Sequence, residues 1–283
     1  MTRIFVTGAT GTIGSELVRA LGKHAGLDVT VGMRDPGRAP KGTTGVRFDW
    51  ADPKTFGPAL EGVERVFLLT PFMADFEAPS RGLIEAARGA GARFIVKLSA
   101  RGLSEDVPFD AGRQHARLEK ALAAGPTPWA LVKPTFFMDN VLKFQRGPVL
   151  EQGAFYGASG GQPVTYVSSR DVGEVAAAIL ASPEKYKNRG YELTGPAGVT
   201  DAQVAELLSR KIGRAVRFVD LELDAYKGAL ESQGTPAWQV EALVALEGVK
   251  RNGWASDTTS TISEVLGRPA ESYASFLERA ELG

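Results

Sequence analysis

Val6-Thr7-Gly8-Ala9-Thr10-Gly11-Thr12-Ile13-Gly14 takes over from a β-branched and aromatic run, Ile4-Phe5-Val6, and hands on to Ile13, Leu17, Val18 and Leu21 at helical spacing. Strand, glycine turn and helix therefore follow in order. The glycines are spaced G-x-x-G-x-x-G, not in the commoner G-x-G-x-x-G arrangement. Their physical roles carry over. One glycine permits the tight turn, one lets backbone N–H groups approach a pyrophosphate, and one lets the helix pack close to the strand. Evenly spaced glycines also occur in plain turns, but the flanking strand and helix favour dinucleotide binding through Gly8, Thr10, Gly11, Thr12, Ile13 and Gly14.

The chain has 283 residues, 43% of them hydrophobic, enough for one large domain or a domain with a smaller lobe. Lys+Arg and Asp+Glu are both 33, so no net charge draws the chain to nucleic acid or to an anionic membrane. It contains no cysteine, which rules out disulfides and thiolate metal sites and suits a reducing compartment. Neither a signal peptide nor an apolar run of membrane-spanning length is visible, so a cytoplasmic protein is expected, as a monomer or homodimer.

Beyond the first helix, Asp28 to Met33 reads as a second strand ending at Arg34. In a dinucleotide fold the residue at this strand end faces the adenosine ribose: a carboxylate holds a free 2'-hydroxyl, whereas an arginine can hold a 2'-phosphate. Arg34 thus points to NADP(H), while the neighbouring Asp35 keeps NAD(H) open as an alternative. Gly45 to Trp50 is a third strand, its Asp49 placed where an adenine edge could rest. Asp52-Pro53 starts a helix, with Asp as N-cap and Pro at the first position. Glu64 to Leu69 is a fourth strand, ending in Thr70-Pro71-Phe72, and a helix covers Ala78 to Ala90.

The fifth strand, Arg93 to Leu98, delivers Ser99. Its Lys97 is unusual in a central strand and either reaches a pocket or carboxylate or lays its stem along the sheet with its head in water. A helix over Gly112 to Ala124 precedes a sixth strand, Trp129 to Lys133, which ends at Pro134. Strands alternating with helices predict an α/β Rossmann fold, a doubly wound parallel sheet whose strands end along one edge. Gly8, Arg34, Thr70, Ser99 and Lys133 meet at that edge.

Beyond Pro134 the pattern loosens, and a smaller, mainly helical C-terminal lobe is expected to begin near Gly195. Residues 153–161 form a glycine-rich stretch, Val164 to Val167, Tyr191 to Leu193 and Val216 to Val219 read as strands, and helices follow from Thr200. The expected division is 1–152 and 164–194 for NAD(P) binding, and 153–163 and 195–283 for the substrate.

Gly8 to Gly14, Arg34, Thr70-Pro71, Ser99, the His115-x-x-x-Glu119 pair, Lys133-Pro134-Thr135-Phe136-Phe137-Met138-Asp139-Asn140 and Ser168-Ser169-Arg170-Asp171-Val172 carry a family resemblance. On these residues the chain resembles the NmrA-like branch of the atypical short-chain dehydrogenases. Within that branch it is most similar to bacterial NADPH-dependent reductases of quinones, azo dyes and triphenylmethane dyes. The branch also contains NADP-binding redox sensors without turnover. The resemblance implies fold and cofactor more firmly than reaction.

Ordinary short-chain dehydrogenases activate a tyrosine with a lysine four residues on. Four residues beyond Tyr156, Tyr166, Tyr186, Tyr191, Tyr226 and Tyr273 stand Gly160, Arg170, Gly190, Gly195, Leu230 and Leu277. No pair of that kind exists, which disfavours alcohol dehydrogenase and epimerase chemistry. The candidate catalytic residues are His115 and Ser99. His115 is open between proton transfer, substrate contact and a structural contact with Glu119, and Ser99 between bonding nicotinamide or substrate and simply ending its strand. Two histidines far apart support no metal site.

Hydride transfer to a quinone or dye cation needs a flat apolar acceptor held against the nicotinamide more than a strong acid. Phe72, Phe136, Phe137 and Met138 are the expected walls for a small aromatic substrate, and Thr70, Pro71, Phe72, Lys133 and Pro134 the further cofactor contacts. The expected function is an NADPH-dependent reductase of planar electron-poor acceptors. A non-catalytic NADP-binding redox sensor is the alternative.

Overall fold

The computed structural model describes residues 1–281. Nine strands run along them: β1 (Thr2–Val6), β2 (Leu27–Met33), β3 (Thr44–Arg47), β4 (Arg65–Leu68), β5 (Phe94–Leu98), β6 (Trp129–Pro134), β7 (Ala154–Gly157), β8 (Arg189–Leu193) and β9 (Arg217–Asp220). Seven build one sheet in the order β3-β2-β1-β4-β5-β6-β8. From β3 to β6 each neighbouring pair is parallel. Parallel strands need crossovers, and the helices Thr12–Leu21, Glu77–Gly89 and Asp110–Ala123 supply them. The sheet is a Rossmann sheet, as the alternation of elements predicts. Because β1 lies between β2 and β4, the winding reverses there, and the strand ends part at that point.

Packing follows from burial of the central strands on both faces. Ile4, Phe5, Val6, Val66, Phe67, Leu68, Ile95 and Val96 are all fully buried. Phe5, Phe48, Leu60, Leu83, Leu118 and Leu131 belong to one core cluster in this part of the chain. A second cluster gathers Met138, Phe155, Tyr166, Val204, Tyr273 and Phe276.

Contacts divide the chain into two units. The first comprises Met1–Val107, Ala111–Pro134 and Ser169–Glu192. The second comprises Pro108–Asp110, Thr135–Ser168 and the chain from Leu193 onward. Residues 135–152 and 164–168, expected with the sheet, therefore pack with the second unit. That unit is mainly helical, with helices Asp201–Ile212, Leu223–Ser232 and Ala237–Arg251. Among the described residues no helix is long and apolar enough to cross a membrane.

Several local expectations change in detail. The glycine-rich stretch contains β7, which pairs in parallel with β9, and Phe155 meets Phe218 at 5.2 Å between ring centres. Burial of Ala154 and Phe155 holds the segment as a strand despite the neighbouring glycines. Val164 to Val167 forms only isolated bridges, Val164 to Val199 and Val167 to Phe137. Asp52 does cap, but it starts a 3-10 turn, Pro53–Thr55, with its Oδ1 accepting from the Lys54 N–H at 3.2 Å.

Gly173, in the helix Ser169–Ala181, is a glycine that motif reading passes over. A Cβ there would lie 2.7 Å from the Glu16 carbonyl carbon and the Leu17 nitrogen of the first helix. Gly82, exposed in the helix Glu77–Gly89, has only Phe56 within reach, at 3.6 Å. The same substitution should therefore have opposite signs at the two sites. Gly173→Ala is expected to cost about 1–3 kcal/mol by overpacking, and Gly82→Ala to add roughly 0.5–1 kcal/mol by removing helix-interior flexibility. Denaturant midpoints of the two variants check both.

Candidate dinucleotide and active site

The first strand ends in a turn that only glycine can make. Gly8 has φ +68°, a left-handed conformation, and a Cβ there would press on Leu69 at 3.1 Å. The Gly11 N–H donates back to the Gly8 carbonyl at 3.0 Å, closing the turn. A Cβ at Gly14 would overlap that carbonyl and stand 2.9 Å from Ala9 Cα, so the helix starts in direct backbone contact with the loop. The helix Thr12–Leu21 begins at Gly11 with no side-chain cap and no acidic residue in its first turn. Backbone donors at the positive end of the helix dipole suit an anion, and the cradle fits a pyrophosphate.

Beside this turn, Thr7 holds the parting strand ends together. Its Oγ1 accepts from the Leu69 N–H at 2.8 Å and donates to the Leu69 carbonyl at 2.9 Å. The link fixes where β4 delivers Thr70 and Pro71, both partly buried. Phe72 follows with 76% of its surface exposed. Further on, Gln114 Oε1 accepts from the Phe76 and Glu77 N–H groups, each at 3.0 Å, and its Nε2 donates to the Ala74 carbonyl at 2.6 Å. An amide on the helix Asp110–Ala123 thereby ties down the loop after β4.

At the end of β2, Arg34 is exposed and among the described residues its guanidinium has no partner. Its own carbonyl accepts from Arg47 Nη1. Asp35, the competing carboxylate, is engaged locally: its Oδ1 accepts from the Gly37 N–H at 3.1 Å and caps the turn Pro36–Arg38. Arg38 and Arg47 stand on the same strand-end turn and on β3, so this corner is basic. Sequence reasoning singled out Arg34 alone. Asp49 Oδ1 accepts from the Ala51 N–H at 3.0 Å in a turn of its own.

A charged network backs β5 and β6. Ser99 Oγ donates to Glu119 Oε1, and Lys133 Nζ donates to Glu119 Oε2 at 3.1 Å. Glu119 is thus committed to Ser99 and Lys133, not to His115. The imidazole pairs elsewhere, with His115 Nδ1 2.8 Å from Lys97 Nζ. Lys97 also donates to the Leu98 carbonyl at 3.1 Å. It is 0% exposed, so the expectation of a head in water gives way to a fully buried amine. His115 as a residue is half-buried, and its ring packs on Phe76 at 4.6 Å. Helical spacing explains the geometry, since His115 and Glu119 share one face, while β5 places Lys97 and Ser99 two residues apart on one side of the sheet.

Among the expected apolar walls, Phe136 and Phe137 are partly buried, whereas Met138 is 1% exposed in the core of the second unit. The Tyr273 hydroxyl donates to the Met138 carbonyl at 3.0 Å.

Burial lowers the Lys97 amine from its ordinary 10.5 to about 7, the Glu119 charge opposing and the Lys133 charge adding to the effect. His115 lies well below its ordinary 6.5, because burial and the Lys97 charge both disfavour the imidazolium. Lys97 therefore couples stability to pH. Below about 7 the amine is charged in folded and unfolded chains alike, and above 10.5 it is neutral in both. Between those values the unfolded chain binds the extra proton, so this residue makes stability rise with pH. Lys97→Met is expected to flatten that rise, which melting temperatures of wild type and variant from pH 7 to 10 would show.

Comparison with known proteins fits this arrangement. The NAD(P)H azoreductase of Xenophilus azovorans is 34% identical over 277 residues, covering 96% of both chains. A (4-alkanoyl-5-oxo-2,5-dihydrofuran-3-yl)methyl phosphate reductase of Streptomyces griseus is 34% identical over 285 residues, 98% of each. The crystal structure of the NADPH-dependent quinone oxidoreductase QOR2 of Escherichia coli with NADPH superimposes with a TM-score of 0.84 at 28% identity, covering 97% of this chain and 98% of that one. A profile described as the NmrA-like family matches residues 1–266, and with it the glycine turn, the basic strand end and the His115 helix take their place in a known plan: the chain belongs to the NmrA-like family.

Proposed function

We propose that this protein is an NADPH-dependent reductase that delivers hydride to a planar electron-poor acceptor, such as a quinone, an azo compound or a cationic dye. The observation that carries the reading is a convergence at one sheet edge. Along that edge lie a glycine turn without a side-chain cap, an arginine with no partner among the described residues, and the half-buried Lys97–His115 and Ser99–Glu119–Lys133 contacts. The dye and quinone reductases among the relatives support the choice of acceptor. The lactone ring named for the Streptomyces enzyme is likewise flat and conjugated, so it makes the same demand on a site.

When bound, the nicotinamide supplies the hydride. The chain's own residues do the rest. Backbone N–H groups in the first turn of the helix Thr12–Leu21 hold the pyrophosphate, and Arg34, with Arg38 beside it, holds the 2'-phosphate. Thr70 and Pro71 border the turn, and Glu119 keeps Lys133 and Ser99 aligned at the ends of β6 and β5. Within the first unit, Phe72 is the exposed aromatic surface offered to a flat acceptor. The first unit is thus the dinucleotide-binding part.

Two measurements test this. Purified protein should oxidise NADPH in the presence of at least one member of a panel of quinones, azo dyes and triarylmethyl dyes, followed by absorbance at the reduced nicotinamide band. Tight NADPH binding without turnover on any member would replace the reading with an NADP-binding sensor. A charge-assisted contact to phosphate is worth roughly 1.5–3 kcal/mol, so Arg34→Ala is expected to weaken NADPH binding about tenfold or more and NADH binding far less. Equal losses in calorimetric titrations would remove Arg34 from the 2'-phosphate.

A further inference from the structure

The reduction of a quinone or azo group requires a proton as well as a hydride, and the ordinary tyrosine-lysine source is missing. We propose that Lys97 and His115 form a two-membered proton relay, in which the buried lysine supplies a proton through the imidazole to the reduced acceptor. The inference rests on the reductase reading and adds the acid that this reading lacks.

Geometry carries it. Lys97 sits in the middle of the sheet, on β5, with no access to water. A buried ammonium normally lies against a carboxylate. Here the nearby carboxylate, Glu119, is held by Ser99 and Lys133, and Lys97 instead meets the Leu98 carbonyl and His115 Nδ1. A merely structural position would be filled at lower cost by methionine or leucine. The relay requires the lysine to donate across the 2.8 Å contact to Nδ1, which puts the imidazole proton on Nε2, on the ring's other side. Phe76 against the ring fixes its tilt. The surroundings also divide the labour: His115 resists becoming a cation, so it transmits a proton without storing one, and the lysine's value of about 7 lets it give one up near neutrality.

The step balances. After the acceptor has taken the hydride, its anionic oxygen or nitrogen removes the Nε2 proton of His115 while Nδ1 takes one proton from the Lys97 ammonium. One N–H bond breaks and one forms on the imidazole, the amine is left neutral, and no electrons pass between relay and acceptor. Water resets the relay by the reverse path, protonating Nε2 as Nδ1 returns its proton to the amine. A triarylmethyl cation, by contrast, becomes neutral on accepting hydride and needs no proton at all.

That contrast is the test. In stopped-flow single turnovers of full-length protein loaded with NADPH, Lys97→Met is expected to slow quinone reduction at least tenfold more than reduction of a triarylmethyl cation. A solvent deuterium isotope effect should appear with the quinone and be absent with the cation in wild type. Equal losses on both acceptors, or no loss on the quinone, would overturn the relay while leaving the reductase reading intact. Failure of wild type to oxidise NADPH with either acceptor would defeat that reading and the relay with it. A readout that needs neither turnover nor a variant is nitrogen-15 NMR of the imidazoles, with only two histidines to assign. His115 should be the neutral Nε2–H tautomer at pH 7, and an Nδ1–H tautomer or an imidazolium would contradict the proposal.

Discussion

The backbone contact between Gly14 and Gly8 is the constraint on which the rest of the dinucleotide edge depends. The helix Thr12–Leu21 can begin where it does only because no side-chain atom separates it from the turn. On its flank the same helix meets Gly173, again without room for a Cβ. Held at both places, it begins at Gly11 without a side-chain cap, at the point where β1 and β4 part. Thr7 then sets the separation of those two strand ends by bonding both polar groups of Leu69. Close packing of this kind leaves little slack, so the loop, the helix and the strand ends form one rigid frame.

Behind that frame lies a division of charge. Glu119 satisfies Ser99 and Lys133, and its negative charge favours the protonated form of Lys97 without touching it. Burial outweighs that charge and leaves an amine whose proton is loosely held, beside an imidazole that stays neutral. In ordinary short-chain dehydrogenases a lysine lowers the pKa of a tyrosine one helical turn away. Here lysine and histidine meet across a strand and a helix, and the phenols follow a different course. Tyr166 and Tyr273 are buried in the second unit and raised above their ordinary range, by burial first and then by Asp201. Neither is suited to give or take a proton near neutrality.

Much of the fold is legible in the sequence because parallel strands buried on both faces leave nearly continuous apolar runs, and because glycine and proline mark the turns. The turn at Gly8 to Gly14 could be read for the same reason: it answers to a local requirement at a fixed place in the chain. What could not be read depends on partners distant in sequence. Lys97 looked odd in its strand, but whether its head met water or His115 turns on a crossover of 18 residues. The His115–Glu119 spacing showed a shared helix face without showing that the carboxylate belonged to Ser99 and Lys133. Gln114, next to a singled-out histidine, carries no motif, and its role in anchoring the loop at Ala74 to Glu77 exists only in the folded chain. The extent of the second unit was obscured for another reason: 135–152 continues the chain directly from β6, and only its packing assigns it elsewhere.

The proposed reductase holds its dinucleotide on the glycine turn at the carboxyl edge of the sheet. Backbone amide NMR during titration with NADP+ tests it most directly. The resonances of Gly11, Thr12, Ile13, Gly14 and Arg34 should move together and saturate at one equivalent. At the opposite edge, the groove lined by Arg3, Asp28 and Glu61 should remain unperturbed. Saturable shifts around Arg3 and Glu61, with Gly11 to Gly14 unmoved, would contradict it.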